Sequence, residues 1–259
     1  MTLPFGINPL FSLSGFLVGA LVGVTGVGGG SLMTPILVLL FGVHPATAVG
    51  TDLLYASITK ASGSVVHNLN KTVDWGIVLR LASGSLPASG LTLWVLHRYG
   101  APTNGALIST ILGFALILTA VAVAFRPWVL RQAARLGEIG PGRQTALTIL
   151  TGAVLGVLVT ISSVGAGALG VTALILLYPK LPTVRIVGSD IVHAVPLTLL
   201  AGMGHLVVGE VNGAVVASLL VGSIPGIIIG SHFSARVPDK VLRPIMAATL
   251  LLVGGRLAF

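Results

Sequence analysis

The sequence predicts an all-α polytopic membrane protein built from two pseudo-symmetric halves. Three observations lead there: an apolar composition, apolar runs of spanning length, and an internal repeat. Of 259 residues, 54% are hydrophobic and only 8% are charged, with a mean hydropathy of +1.05. A soluble domain carries about a quarter charged residues. So few charges cannot clothe a water-facing surface, so the surrounding solvent is expected to be lipid.

The net charge of +8 does not suggest a nucleic-acid binder. Such a protein gathers basic residues in a patch with stacking aromatics, whereas here they lie mostly between apolar runs, where cytoplasmic loops of membrane proteins collect them. With no cysteine, disulfides, thiolate catalysis and thiolate metal sites are excluded. MTLPFGINPLFSLSGF (1–16) lacks the basic start of a cleaved signal peptide, so the first apolar run is expected to stay in the mature protein.

Apolar runs occupy about 10–42, 44–67, 74–97, 104–125, 144–178, 184–208, 212–233 and 240–258. A spanning helix needs about 20 mostly apolar residues, so most runs fit one span each. Runs 10–42 and 144–178 are too long, and glycine interrupts both near the middle.

The interruptions reveal the repeat. GFLVGALVGVTGVGGGSL (15–32) matches GAVLGVLVTISSVGAGAL (152–169), with Gly15, Gly19, Gly28 and Gly30 aligned on Gly152, Gly156, Gly165 and Gly167. Pro45 then matches Pro182, VGTDLLYA (49–56) matches VGSDIVHA (187–194), His67 matches His205, and GSLP (84–87) matches GSIP (222–225). The expected organisation is a first transmembrane repeat over 1–125, a basic linker over 126–143 and a second repeat over 144–259.

Loop charge orients the halves. With eight single spans, Lys71, Arg126, Arg131, Arg135, Arg143 and Arg256 face one side, against Arg98, Lys180, Arg185, Arg236, Lys240 and Arg243, an even division. If each glycine-broken run dips in and returns, only Arg98 and Arg256 remain on one side and the other ten gather opposite. The positive-inside rule prefers the second arrangement. It implies an inverted repeat, each half holding one glycine-broken, re-entrant helix and three spanning helices, with a cytoplasmic linker and both termini outside.

The breaks are the first candidate site. Three consecutive glycines cannot hold a stable helix, since each costs about 1 kcal/mol relative to alanine. Broken backbone at membrane depth is tolerated only where protein or a water-filled cavity satisfies it. A half-helix beginning there aims free N–H groups and its positive end at that cavity, which suits an anion. The candidates are Gly28, Gly29, Gly30 and Ser31, and in the second copy Gly165, Ala166 and Gly167. Close helix packing is the other reading of membrane glycines. Thr25, Ser162 and Ser163 flank the breaks as hydroxyl donors.

Thr51-Asp52 and Ser189-Asp190 are the second. A carboxylate within an apolar run is costly and is by default a functional candidate; capping the starts of their own helices is the competing reading. Asp52, Ala56, Thr59, Gly63 and His67 share one helical face with Lys60 beside it, and Asp190, Ala194, Leu197, Ala201 and His205 repeat the spacing without the lysine. Thr51, Lys60 and Ser189 are expected to contribute donors or charge to substrate. Asp52, Asp190, His67 and His205 are candidates for proton exchange, and snorkelling is the alternative for Lys60. No Walker A, HExxH or GxSxG pattern occurs, so neither ATP-driven nor hydrolytic chemistry is expected and no cofactor is called for.

With these residues in view, the chain resembles the TauE/SafE family of sulfite and organosulfonate exporters. The resemblance is carried by GALVGVTGVGGGSLMTPIL (19–37), HPATAVGTDLLYASITKASGSVVHN (44–68), VDWGIVLRLASGSLPAS (73–89), ISSVGAGALGVTALILL (161–177), LPTVRIVGSDIVHAVPLTLLAGMGHL (181–206) and LLVGSIPGIIIGSHFSARVP (219–238). It implies a secondary transporter in a bacterial-type inner membrane, exporting a small sulfur-containing anion such as sulfite, sulfoacetate or another sulfonate. It implies proton or gradient coupling without nucleotide. Two features depart from the family pattern: Gly165-Ala166-Gly167 replaces a fuller glycine run, and Ser189-Asp190 replaces Thr-Ser, adding a second acid to the core. The expected partners are a small anionic substrate, protons and lipid, with no nucleic acid; homo-oligomerisation stays open. A carboxylate, thiosulfate or a divalent cation is the alternative cargo.

Overall fold

A computed structural model describes residues 7–25, 30–99, 105–133, 135, 140–233 and 239–259 of the chain. All regular structure among them is helical. The first series is α1 (Pro9–Thr25), α2 (Gly30–Leu39), α3 (Pro45–Leu69), α4 (Trp75–Tyr99) and α5 (Gly105–Ala133). The second is α6 (Pro141–Ser162), α7 (Ala168–Leu177), α8 (Thr183–Val207), α9 (Gly213–Phe233) and α10 (Asp239–Ala258). Each series thus has a long helix, a ten-residue helix and three long helices. Helix α5 continues into the stretch assigned to the linker from sequence, ending at Ala133 rather than near 125.

Three contacts show that the broken runs fold back. Phe41, just beyond α2, packs its ring 4.3 Å from that of Phe11 in the first turn of α1. In the second series Gln144, at the start of α6, donates to the Leu177 carbonyl at the end of α7 (2.7 Å), and Thr148 bonds the Tyr178 hydroxyl (2.8 Å). Both hairpins therefore end beside the level at which they began.

The repeats interlock by exchanging helices. α1 packs on α9, and α6 packs on α4. Glycines make the approach possible, and equivalent residues make equivalent contacts. A methyl group on Gly15 would overlap the Leu219 carbonyl, and one on Gly152 would overlap the Leu81 carbonyl. Gly84 lies in the same way against Ile149, and Gly222 against Ser12. Helix association in lipid lacks a hydrophobic drive, so backbone approach at small residues supplies the packing energy.

The helix pairs related by the repeat run antiparallel. Gly50 near the start of α3 abuts His205 and Glu210 at the end of α8, while Gly188 near the start of α8 abuts His67 and Thr72 at the end of α3. Gly113 of α5 lies against Gly254 and Ala258 of α10, and Gly254 in turn against Ile117. One end of the bundle, the linker end, therefore gathers Lys71, Asp74, Arg143, Tyr178 and Arg185, with Arg185 paired to Asp74 at 3.2 Å.

The distribution of polarity is inside-out. Leu79, Leu91, Trp94, Phe114 and Leu252 are exposed on the outside, whereas Asp52, Lys60, Asp190 and His193 are buried. Among the described residues, Ser109–Ala133, Pro141–Ser162 and Thr183–Val207 are long and apolar enough to cross a membrane. Helices α3 and α4 each have 25 residues, but their inward polar side chains dilute their hydropathy.

Glycine packing on α4 is directly testable. Gly84→Ala, which drives a methyl into the Ile149 carbonyl, is expected to destabilise the protein by about 1–3 kcal/mol through overpacking. Gly90→Ala on the same helix meets nothing within 4 Å and should leave stability unchanged or raised by up to about 1 kcal/mol. Thermal unfolding of the detergent-solubilised variants compares them, and equal melting temperatures would refute the packing role of Gly84.

Candidate functional site: charged residues at the helix break

The break between α6 and α7 is built by backbone geometry. Ser163 ends α6 in the left-handed conformation (φ 58°), its amide donating to the Val159 carbonyl. Gly165 and Gly167 follow at φ 123° and 122°, a region in which a side chain is strained. Ala166 between them does not have positive φ, which explains physically why alanine is tolerated at the middle of this run. No side chain caps the start of α7; the Gly170 and Val171 amides donate back to the Gly165 and Gly167 carbonyls, which leaves the amides of Ala168 and Leu169 and the positive dipole end at the buried break.

Charged residues converge on this break from α3 and α8. The Lys60 ammonium donates to the Ala166 carbonyl at 3.3 Å. Asp52 Oδ2 accepts from Thr34 of α2 at 2.5 Å and from Ser163 at 2.9 Å. One carboxylate thereby joins α3 to both broken hairpins. Asp190 packs against the first turn of α7, so closely that a methyl group on Gly170 would overlap its Oδ1. Neither Asp190 oxygen has a hydrogen-bond partner among the described residues. Lys60 acts electrostatically on both aspartates without a direct ion pair to either.

Sequence reasoning overlooked a second layer of the site. His193 is fully buried on α8, one turn beyond Asp190, and its Nε2 shares a 2.8 Å hydrogen bond with Ser85 of α4. The repeat-related pair is Tyr55 and Ser223, which are also buried and adjacent but do not meet in hydrogen-bond geometry. The signal was present in the aligned segments. VGTDLLYA and VGSDIVHA place Tyr55 opposite His193, and GSLP and GSIP place Ser85 opposite Ser223.

Other sequence candidates lie elsewhere. Gly28 and Gly29 lie outside the described residues, and Gly30 and Ser31 open α2. Thr51 and Ser189 are not turned to the charged cluster. The Thr51 hydroxyl accepts from the Asn212 amide at 3.1 Å and the Ser189 hydroxyl from the Asp74 amide at 2.8 Å. They form a symmetric pair of clamps on the loops preceding α9 and α4. His67 shares a 2.9 Å hydrogen bond with Thr72 near the linker end. His205 is held between Glu210 (2.7 Å) and the Thr160 carbonyl (2.8 Å) near the opposite end. Neither histidine meets Asp52, Lys60 or Asp190 through a hydrogen bond. No group of three or more His, Asp or Glu among the described residues is arranged to hold a metal ion.

The chain is similar in sequence to several probable membrane transporter proteins. The probable membrane transporter protein YjnA of Bacillus subtilis is 41% identical over 255 residues, covering 95% of this chain and 97% of that protein. A second Bacillus subtilis protein, probable membrane transporter protein YdhB, is 27% identical over 248 residues, covering 94% and 97%. A probable membrane transporter protein of Methanocaldococcus jannaschii is 25% identical over 261 residues, covering 95% and 93%. No solved structure matches. The family model described as Sulfite exporter TauE/SafE matches residues 11–257. With nearly its whole length matched, the glycine-broken hairpins included, this chain belongs to the TauE/SafE family of membrane transporters.

Proposed function

We propose that the protein is a proton-coupled secondary exporter of a small sulfur oxyanion such as sulfite or an organosulfonate. The observation that carries this reading is the α6–α7 break, where the uncapped start of α7 and the Lys60 ammonium lie together in the buried core. Free amides, a helix dipole and a buried cation form an environment for negative charge. Gly165, Ala166 and Gly167 would contribute backbone, and Gly28–Ser31 the equivalent backbone of the first repeat. The family's description as a sulfite exporter supports a sulfur oxyanion and outward movement. Two buried carboxylates favour a cation instead, and a divalent cation is the alternative cargo. The direct bond of Lys60 to the break weighs towards the anion.

Asp52 or Asp190 would supply the group that exchanges the proton within the membrane, and His67 and His205 would bear on coupling only from the two ends of the bundle. Thr51 and Ser189 support the site by holding loops. The antiparallel α3–α8 and α5–α10 pairs support an inverted repeat, and the returning hairpins support re-entrant segments. Six full spans, with the basic loops on the inner side, would put the linker in the cytoplasm and both termini outside. Because α1 packs on α9 and α6 on α4, bodies that alternate access would each mix helices from both repeats.

Flux and topology can each be measured. Proteoliposomes under an imposed pH gradient should show saturable transport of labelled sulfite or methanesulfonate. Lys60→Ala should lower the initial rate by at least about tenfold, equivalent to about 1.4 kcal/mol. Transport of a divalent cation, with no oxyanion flux, would replace the cargo assignment. For topology, the chain's lack of cysteine makes an introduced thiol unique. A membrane-impermeant maleimide should label Phe259→Cys but not Arg135→Cys in intact cells. Labelling of both, or of neither, would indicate eight spans, which put linker and termini on one side.

A further inference from the structure

We propose that Asp190 is a built-in competitor for the transported anion, its carboxylate resting at the first turn of α7 where the anion's charge would go, so that anion and proton bind together. This deepens the anion-transport reading above and rests on it.

The two aspartates occupy repeat-related positions but differ in partners. Asp52 has two hydroxyl donors on one oxygen, from Thr34 and Ser163. Asp190 is equally buried, with 0% exposure, yet both of its oxygens lack a hydrogen-bond partner among the described residues. It lies beside the Gly167 amide and against Gly170, at a helix start that no side chain caps. The carboxylate thus stands at the positive end of α7 without being held by any donor in full geometry. A buried charge without hydrogen bonds is costly, whereas hydroxyl donors to an ionised carboxylate are charge-assisted and strong. Asp52 is therefore fixed through Oδ2 by its two donors, although its Oδ1 lacks a partner among the described residues, and Asp190 is the less held of the two and the better placed to exchange its charge.

Charge balance points the same way. With all three groups ionised, Lys60 contributes +1 and Asp52 and Asp190 each −1, a sum of −1. A monoanion arriving without a proton makes the sum −2 in a low-dielectric interior. A proton on Asp190 together with a bound monoanion restores −1. The ionisable groups around Asp190 are few. Lys60 and Asp52 face it from α3, and His193 follows it on α8, bonded to Ser85. Helix α7 carries no ionisable side chain, and those of α4 and α6 (Arg80, His97, Arg98 and Arg143) lie towards the helix ends. The proton comes from water on the side to which the site is open and returns to water when the anion dissociates.

The test is equilibrium binding of labelled methanesulfonate to the full detergent-solubilised chain across the neutral pH range, where the probe's own charge is constant. Wild-type affinity should fall about tenfold per pH unit on the alkaline limb, because only the protonated fraction is competent to bind. One proton should be taken up per anion in weakly buffered medium. Asp190→Asn should bind with affinity independent of pH and without proton uptake, whereas Asp52→Asn should keep the wild-type slope. A pH-independent wild type, an unchanged slope in Asp190→Asn, or loss of the slope in Asp52→Asn alone would overturn the assignment while leaving anion transport standing. Should Asp190→Asn not fold, wild-type proton uptake decides: none on saturable binding refutes the proposal. Saturable binding of neither methanesulfonate nor sulfite at any pH would overturn the anion reading and this inference together.

Discussion

Charge buried in a bundle whose exterior is apolar must be offset by the protein itself, and that constraint organises the rest of the structure. Asp52, Lys60 and Asp190 lie on α3 and α8, with at most 6% exposure. Broken helices have the complementary difficulty, since unpaired backbone groups within a bilayer have no water to satisfy them. Each difficulty is part of the answer to the other. Lys60 meets the Ala166 carbonyl, Asp52 meets Ser163, and Asp190 lies at the uncapped start of α7. An unbroken run over 144–178 would deprive all three of those surroundings.

The helix exchange follows from the way membrane helices associate. Without a hydrophobic drive between them, close backbone packing holds the bundle, and here it occurs between repeats rather than within them. Gly15 and Gly19 of α1 lie against α9, and Gly152 and Gly156 of α6 lie against α4. Each half is therefore completed by the other. The same interlocking brings Ser163 of the second repeat to Asp52 of the first.

Symmetry sets the frame, and departures from it distinguish the two halves. Thr51 and Ser189 clamp equivalent loops, and Gly50 and Gly188 make equivalent approaches. At the centre the equivalence ends. Lys60 has no counterpart in α8, Tyr55 stands opposite His193, and Asp52 is bonded where Asp190 is not.

The membrane class, the repeat, the two breaks and the acidic residues were legible in the sequence, because each depends on composition or on local periodicity. Asp190, Ala194, Leu197, Ala201 and His205, which share one face by their spacing, are all buried. Orientation on a helix misled the reading where adjacent residues were grouped. Thr51 precedes Asp52 and Ser189 precedes Asp190, but successive helical residues point about 100° apart, so these hydroxyls reach loops while the carboxylates face the core. Tyr55, His193, Ser85 and Ser223 lie within the aligned segments, yet nothing local marks them. His193 finds Ser85 only because α8 packs on α4, across 108 positions of chain. Local pattern determined which segments break and which faces are buried. Only the tertiary structure decided which of the two aspartates is held by hydroxyl donors, because those donors come from other segments, Thr34 on α2 and Ser163 at the end of α6, that only packing brings to α3.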